Sequence, residues 1–486
     1  MFTYSKSVYI ISLVLFLPYL AFSETISVGN ARKICYVETE SEIISALADP
    51  AVMRVVPMLP YTLTAPLIIP TGKEYAPIPG AVVKTGPENT LTFASGSHLV
   101  DNGCRIFDCA PGKVLGLRCT VTPEMFGGGS CASGSENSNA LLAALDALGG
   151  NGGGEIRWQK GKYQYGSKVS LGTAMTKYRR KNLRLIGQDT TITTDGSVSD
   201  YIWELTGDIT YQHKLLHIEG FNCNLNGAKG FLNINRGAFN SVIKNIFIED
   251  STHTANTIAV NITNCFGIIL DNVVIYNTNL GSGTGVRVAA DSGPGFNSPT
   301  NIALYNCIVQ RMWRCYDFDI ATSATTLKMV NCAAQGISGG YAEQQIGIRL
   351  NGKVLDNVSI DGCHLEHFHN TKGTPTSSSS RGIFLSTTER ANLTIKNCKF
   401  YNNQTAWWFT GPGISVTSEG NRFTGTKQSQ LFKIIGYNDG VITCVDRIDS
   451  KSSNSTYCLY IGEPGFYPGA GVIRNATHTQ VPQRAN

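Results

Sequence analysis

Ile360-Asp-Gly362-Cys363-His-Leu365 and Ile395-Lys-Asn397-Cys398-Lys-Phe400 are two copies of one phrase: an apolar residue, a polar one, Asn or Gly, then Cys, then an apolar residue two places on. Working outward, the phrase returns as Met329-Val-Asn331-Cys332, Leu304-Tyr-Asn306-Cys307, Ile269-Leu-Asp-Asn272-Val-Val-Ile275, Ile243-Lys-Asn245-Ile-Phe-Ile248 and Leu216-His-Ile218-Glu-Gly-Phe-Asn222-Cys223, and once more as Val416-Thr-Ser-Glu-Gly-Asn421-Arg-Phe423. The anchors lie about 23 to 35 residues apart, the length of a solenoid coil made of three short strands with loops of variable length. A leucine-rich repeat shares the period but needs a fixed Leu ladder and a helical return. Here the returns are Gly, Ser, Thr and Asn among β-branched residues. The reading is an all-β, single-stranded right-handed parallel β-helix (a solenoid) with a short N-terminal capping helix, its hand set by the bias of parallel crossovers.

Within that fold the repeated Asn stacks at one turn, where its amide can bond the same group one coil away. The repeated Cys beside it points inward. Five Cys in one register (Cys223, Cys307, Cys332, Cys363 and Cys398) are therefore expected as small, buried, reduced core residues.

Composition supports one elongated globular body. Only 15% of the 486 residues are charged, and 51 are Gly, which suits tight corners. A net charge of +5 without a Lys/Arg cluster argues against nucleic acid. The run Lys177-Tyr-Arg179-Arg180-Lys181 reads as a solvated turn. At the start, Lys6, the apolar run Val8 to Leu17 and then Ala21-Phe22-Ser23 read as a signal peptide cleaved before Glu24, which predicts a secreted or periplasmic protein with no membrane span. Export permits disulfides among Cys35, Cys104, Cys109, Cys119, Cys131, Cys444 and Cys458, with no pairing deducible.

Four segments follow: a signal peptide (1–23), a β-rich N-terminal cap region (24–136), the β-helix (137–440) and a C-terminal cap and tail (441–486). In the second, Ser41 to Ala48 reads as a helix, and Tyr61 to Gly72 as a strand pair ending in a turn. Asn139 to Leu148 carries Leu141, Leu142, Leu145 and Leu148 at helical spacing, with Asn137 and Ser138 as caps and Gly149-Gly150 as the stop. That helix would cover the open end of the solenoid.

Ser138-Asn-Ala-Leu-Leu-Ala-Ala-Leu-Asp-Ala-Leu148, followed by Gly152-Gly-Gly-Glu-Ile-Arg-Trp158-Gln-Lys-Gly161-Lys-Tyr163, resembles the opening of pectate-lyase-superfamily β-helices. That opening is a helix, a Gly-rich turn and a strand ending in Pro-x-Gly-x-Tyr. Arg105-Ile-Phe107-Asp and Val121-Thr-Pro123-Glu124-Met125-Phe126-Gly127 resemble the phrase preceding it in phage tailspike-like and bacterial secreted β-helix proteins. The resemblance implies a polysaccharide or cell-surface glycan as partner. The superfamily holds lyases, hydrolases, epimerases and binders alike. The Asn-Thr-Asp, Asp-Asp and Gly-His-Gly motifs of polygalacturonase-like enzymes are missing, as is the acidic stack of calcium-dependent lyases, so a site must be argued from geometry.

One strand per coil supplies that geometry. If its apolar residues point inward, the middle ones form an outward ladder: Asn233, Ala259, Arg287, Asp319, Arg349, Phe384 and Trp408. Guanidiniums would suit the carboxylates of an acidic glycan, and the rings of Phe384 and Trp408 its sugar faces. Hydrolysis needs two carboxyl groups, and Asp317, Asp319 and Glu343, the last in a loop overhanging them, are the candidates. A rival set is His364-Leu-Glu366-His367-Phe-His369. No metal or other cofactor is expected. Two functions remain: a glycoside hydrolase or polysaccharide lyase acting on an extended, possibly acidic glycan, or a glycan-binding, surface-adhesion β-helix.

Overall fold

The computed structural model describes residues 33–149, 153–172, 182–207, 213–236, 238–250, 256–278, 283–290, 299–337, 344–369, 380–424, 430–435, 442–448 and 457–462. The signal-peptide reading, Glu343 and the Lys177–Lys181 run lie outside these. The chain divides into two units, Met1–Leu117 and Arg118–Asn486.

The first unit corrects the expectation for Tyr61 to Gly72. Tyr61–Leu63 and Leu67–Ile69 do not pair with each other. Each joins a different sheet, in parallel with strands further along: Tyr61–Leu63 with Val83–Thr85, and Leu67–Ile69 with Leu91–Phe93. A third parallel sheet runs through Lys33–Val37, Val52–Pro57, Glu74–Tyr75 and His98–Leu99. The unit is thus a small solenoid of its own. Its repeat is visible once known, because Leu67-Ile-Ile69-Pro-Thr71-Gly72 matches Leu91-Thr-Phe93-Ala-Ser95-Gly96, and Thr71 bonds the Ser95 carbonyl across a separation of 24 residues. Gly72 and Gly96 both turn with φ near 80°, at 79° and 84°. The helix α1 (Glu40–Ala48) has a capping box between Thr39 and Glu42 and buries Ile43, Ala46 and Leu47.

The second unit is a right-handed parallel β-helix, with 25 strands hydrogen-bonded in parallel, each to the strand one coil on. Helix α2 (Gly134–Gly149) packs on the first coil and buries Leu141, Leu145 and Leu148 there. Its start lies one turn earlier than expected. Ser133 and Glu136 form the cap reciprocally, at 3.3 and 2.7 Å. Asn137 is 1% exposed and instead ties the Gly129 backbone (2.8 Å) to the Gln164 carbonyl (3.0 Å).

Each coil turns at the repeated Asn. Asn245, Asn272, Asn306, Asn331 and Asn397 all have φ between 52° and 55°, and Gly220, Gly362 and Gly420 take the same corner at 82°, 63° and 68°. Left-handed backbone is costly for other residues, and Asn and Gly are the types that tolerate it. Asn272 donates to the Asn245 amide oxygen at 2.9 Å, as the stacking predicted, whereas Asn306 and Asn397 donate to Asp271 and Asp361, each at 3.0 Å.

Immediately after the corner, Cys307, Cys332, Cys363 and Cys398 stack in adjacent coils, buried and unbridged. Their thiols donate to backbone carbonyls, as Cys398 does to Lys396 at 3.1 Å. Cys223 is in another column. It pairs with Ile248, and the corner of its coil is Gly220 and not Asn222. The interior also stacks aromatic rings: Trp158, Trp203 and Phe221 pack at 5.1–5.5 Å near the first coils, and further along Trp407 lies 5.1 Å from Phe409 and Phe400 4.8 Å from Phe423.

Candidate functional site

The outward ladder exists, with a different register. Pairing runs Asn233, Asn261, Arg287, Asp317, Arg349, Phe384, Trp408. Asn261 and Asp317 therefore stand where alternation placed Ala259 and Asp319. A period of two cannot distinguish residues i and i+2 on one face, so the strand pattern alone leaves this choice open. Asp319 lies in the adjoining column, level with Ala289 and Asn351.

Register decides the electrostatics. Asp317 is 2% exposed and accepts from Arg349 at 2.9 and 3.2 Å and from Arg314 at 3.0 Å. Asp319, with its side chain 31% exposed, accepts from Asn351 at 2.9 Å, Arg287 at 3.2 Å and Arg349 at 3.3 Å. Burial works to raise its carboxyl, but the Asn351 hydrogen bond and the Arg349 and Arg287 guanidiniums outweigh burial and hold it below the usual carboxylate range. Three arginines and two aspartates thus form one network, with Arg349 at its centre.

A cleft of about 670 Å³ opens beside it, and Lys229, Thr257, Arg287, Trp313, Arg314 and Asp319 are among its lining residues. Lys229, Trp313 and Arg314 were not singled out from the sequence. Lys229, Thr257, Gly283 and Trp313 each precede a ladder strand and stack as a column, because the first amide of each following coil bonds the carbonyl before it: Ile258 to Lys229, Thr284 to Thr257, Arg314 to Gly283 and Ile346 to Trp313. The signal was their fixed offset from the strands. The Arg314 guanidinium lies over the Trp313 ring, 4.7 Å from its centroid.

Phe384 and Trp408 continue the ladder away from the cleft. Trp408 is only 6% exposed, and the Arg381 guanidinium covers its ring at 3.7 Å while lying 4.4 Å from Phe384. The ring expected to be open to sugar is thus capped by a cation. Burial lowers the Arg381 guanidinium without discharging it.

The His-rich strand is elsewhere. His364–Glu366 pairs with Ala333–Gln335 and Lys399–Tyr401, a different column set from the ladder, and His364 sits 3.1 Å from Glu366. Burial lowers the His364 imidazole, opposed by Glu366. No three His, Cys, Asp or Glu side chains converge as a metal site among the described residues. A second pocket, of about 440 Å³, lies where Tyr163 bonds Glu124 beside Lys160 and Glu136. No helix among the described residues is long and apolar enough to cross a membrane.

No family model matches the sequence, and no curated protein matches it. Among solved structures it is similar to the tailspike gp42 of Acinetobacter phage vb_AbaP_AS12, at 14% identity and a TM-score of 0.43 over 74% of this chain and 67% of that one. The catalytic unit of an alpha-1,3-glucanase from Streptomyces thermodiastaticus is similar at 12% identity and 0.42, over 75% and 71%. A third, the ORF18 protein of Geobacillus virus E2, is similar at 13% identity and 0.40 over 70% of this chain, which spans 61% of that one's length. The fold is that of a parallel β-helix. It rests on the strand pairing, and no activity is carried over from these neighbours.

Proposed function

We propose that this protein is an exported β-helix that grips an extended polysaccharide in the cleft along its Arg287–Asp319 face, as a glycan-binding or surface-adhesion protein. The observation that supports binding over cleavage is the fate of the two aspartates. Glycosidic hydrolysis needs one protonated and one ionised carboxyl flanking the bond. Asp317 lines the cleft, but it is 2% exposed and both its oxygens are already engaged by guanidiniums. Asp319 is ionised by its three donors, and an ionised carboxylate cannot deliver a proton. The network fixes the guanidinium positions instead, which is what a preorganised binding wall requires.

A hydrolase remains the second reading, favoured by Asp319 being both ionised and 31% exposed in the cleft, as a general base would be. Its acid would be Glu343. A polysaccharide panel assayed for retention, for new reducing ends and for absorbance at about 235 nm separates the readings, since a lyase product absorbs there and a hydrolase gives reducing ends alone. Retention without products supports binding. Reducing ends that vanish in Glu343→Gln establish the hydrolase.

A further inference from the structure

The charges around the cleft do not cancel. Arg287, Arg314 and Arg349 bring three guanidiniums to the two carboxylates of Asp317 and Asp319. Lys229 adds a further cation. It is exposed, it lies 5.3 Å from the centroid of the Tyr201 ring, and no carboxylate stands within ion-pair distance of it among the described residues. Asp200, whose carboxyl it helps to lower, is bonded to Lys168 at 2.8 Å, and Lys168 also holds Glu204 at 2.9 Å, so five cations still face four carboxylates. A wall with surplus positive charge is complementary to an anionic ligand, and a neutral one would leave that surplus unmatched.

Spacing narrows the class further. Lys229 and Trp313 stand three coils apart in their column. At the separation of adjacent strands that is about 14 Å. A single small acid cannot engage both ends, whereas a chain that repeats its charge can. Resting on the glycan reading above, we infer that the cleft is a subsite row for a polyanionic glycan, with Lys229 and the Trp313–Arg314 corner each receiving a carboxylate or sulfate group.

The test uses the full protein and four polymers: polygalacturonate, its carboxyl-reduced form, dextran sulfate and dextran. Retention of a charged polymer at least tenfold above its neutral counterpart, falling as salt rises, supports the inference, and which charged polymer binds separates carboxylate from sulfate. Lys229→Gln should weaken that binding about tenfold and Lys229→Arg should not, a charge-assisted contact being of that size. Lys353→Gln, which removes an exposed lysine paired with Glu389 at 2.9 Å, controls for loss of general charge and should leave binding unchanged. Neutral and charged forms bound equally would overturn the inference and leave the glycan reading standing. No retention of any of the four would remove both, and equal losses in Lys229→Gln and Lys353→Gln would overturn the placement.

Discussion

Replacing Asp317 with Asn removes the charge from a side chain that is 2% exposed while leaving Arg314 and Arg349 aimed at an amide. Breaking a fully buried ion pair from one side costs about 3–5 kcal/mol. Both guanidiniums keep some contact with water, at 27% and 18% exposure, and Arg349 retains Asp319 at 3.3 Å. The expected loss therefore lies at or just below the low end of that range, about 2–3 kcal/mol. Asp319→Asn is the internal comparison. Its carboxylate is 31% exposed, its hydrogen bond from Asn351 is lost in part, and an ion pair so open to solvent is worth about 1 kcal/mol or less. Urea unfolding followed by tryptophan fluorescence measures both. Because solenoid coils can open separately, hydrogen exchange over 286–290, 314–320 and 346–351 should accompany it. Asp317→Asn should open these strands well before Asp319→Asn does. Equal midpoints, or a larger loss in Asp319→Asn, would refute the view that Asp317 is the buried anchor of the network.

Other outcomes follow from the same geometry. Cys332→Ser puts a hydroxyl into an apolar stack and should cost about 1–3 kcal/mol, while mass spectrometry of the native protein should find Cys307 and Cys332 unbridged and protected from alkylation. At the coil corner, Asn331→Ala should cost about 1 kcal/mol because its φ is positive, and Asn331→Gly should cost less, Gly362 already occupying that corner one coil on. Asp319 is held below its ordinary range, so its contribution is complete above the unfolded pKa of about 3.9 and is lost as pH falls through the lower folded value. An acid titration of stability should therefore lose part of its slope in Asp319→Asn. His364 is also lowered, but as a base it takes its proton in the unfolded chain first, so stability should fall as pH drops below about 6.5, and His364→Gln should flatten that decline.

The β-helix was legible because its repeat is a steric requirement. A corner at positive φ admits Asn or Gly and little else, so Asn245, Asn272, Asn306, Asn331 and Asn397 recur whatever the loops between them do. The smaller solenoid of the first unit was missed because its corners use Gly and its strands after Val52–Pro57 are two or three residues long, too short for alternation to be read. At the candidate site four of the five residues of the charged network were found, and Arg287, Asp317, Asp319 and Arg349 do meet, whereas Arg314 was missed. Their partition was not. Which aspartate is buried depends on register, and whether Trp408 is open depends on Arg381, a residue whose position over the ring has no pattern in the strand itself. Lys229 and Trp313 escaped because they sit at loop ends, outside the alternating residues, where only their fixed offset from the ladder strands marks them.

The placement of the ligand is tested most directly by a hydrogen-exchange footprint of the protein with and without oligomers of whichever polymer it retains. The cleft predicts slowed exchange in the segments around Lys229, 256–263, 284–290 and 313–320, which line or adjoin it. Protection confined to the Glu124–Tyr163 pocket or to the His364–Glu366 strand, with the cleft unchanged, would contradict it.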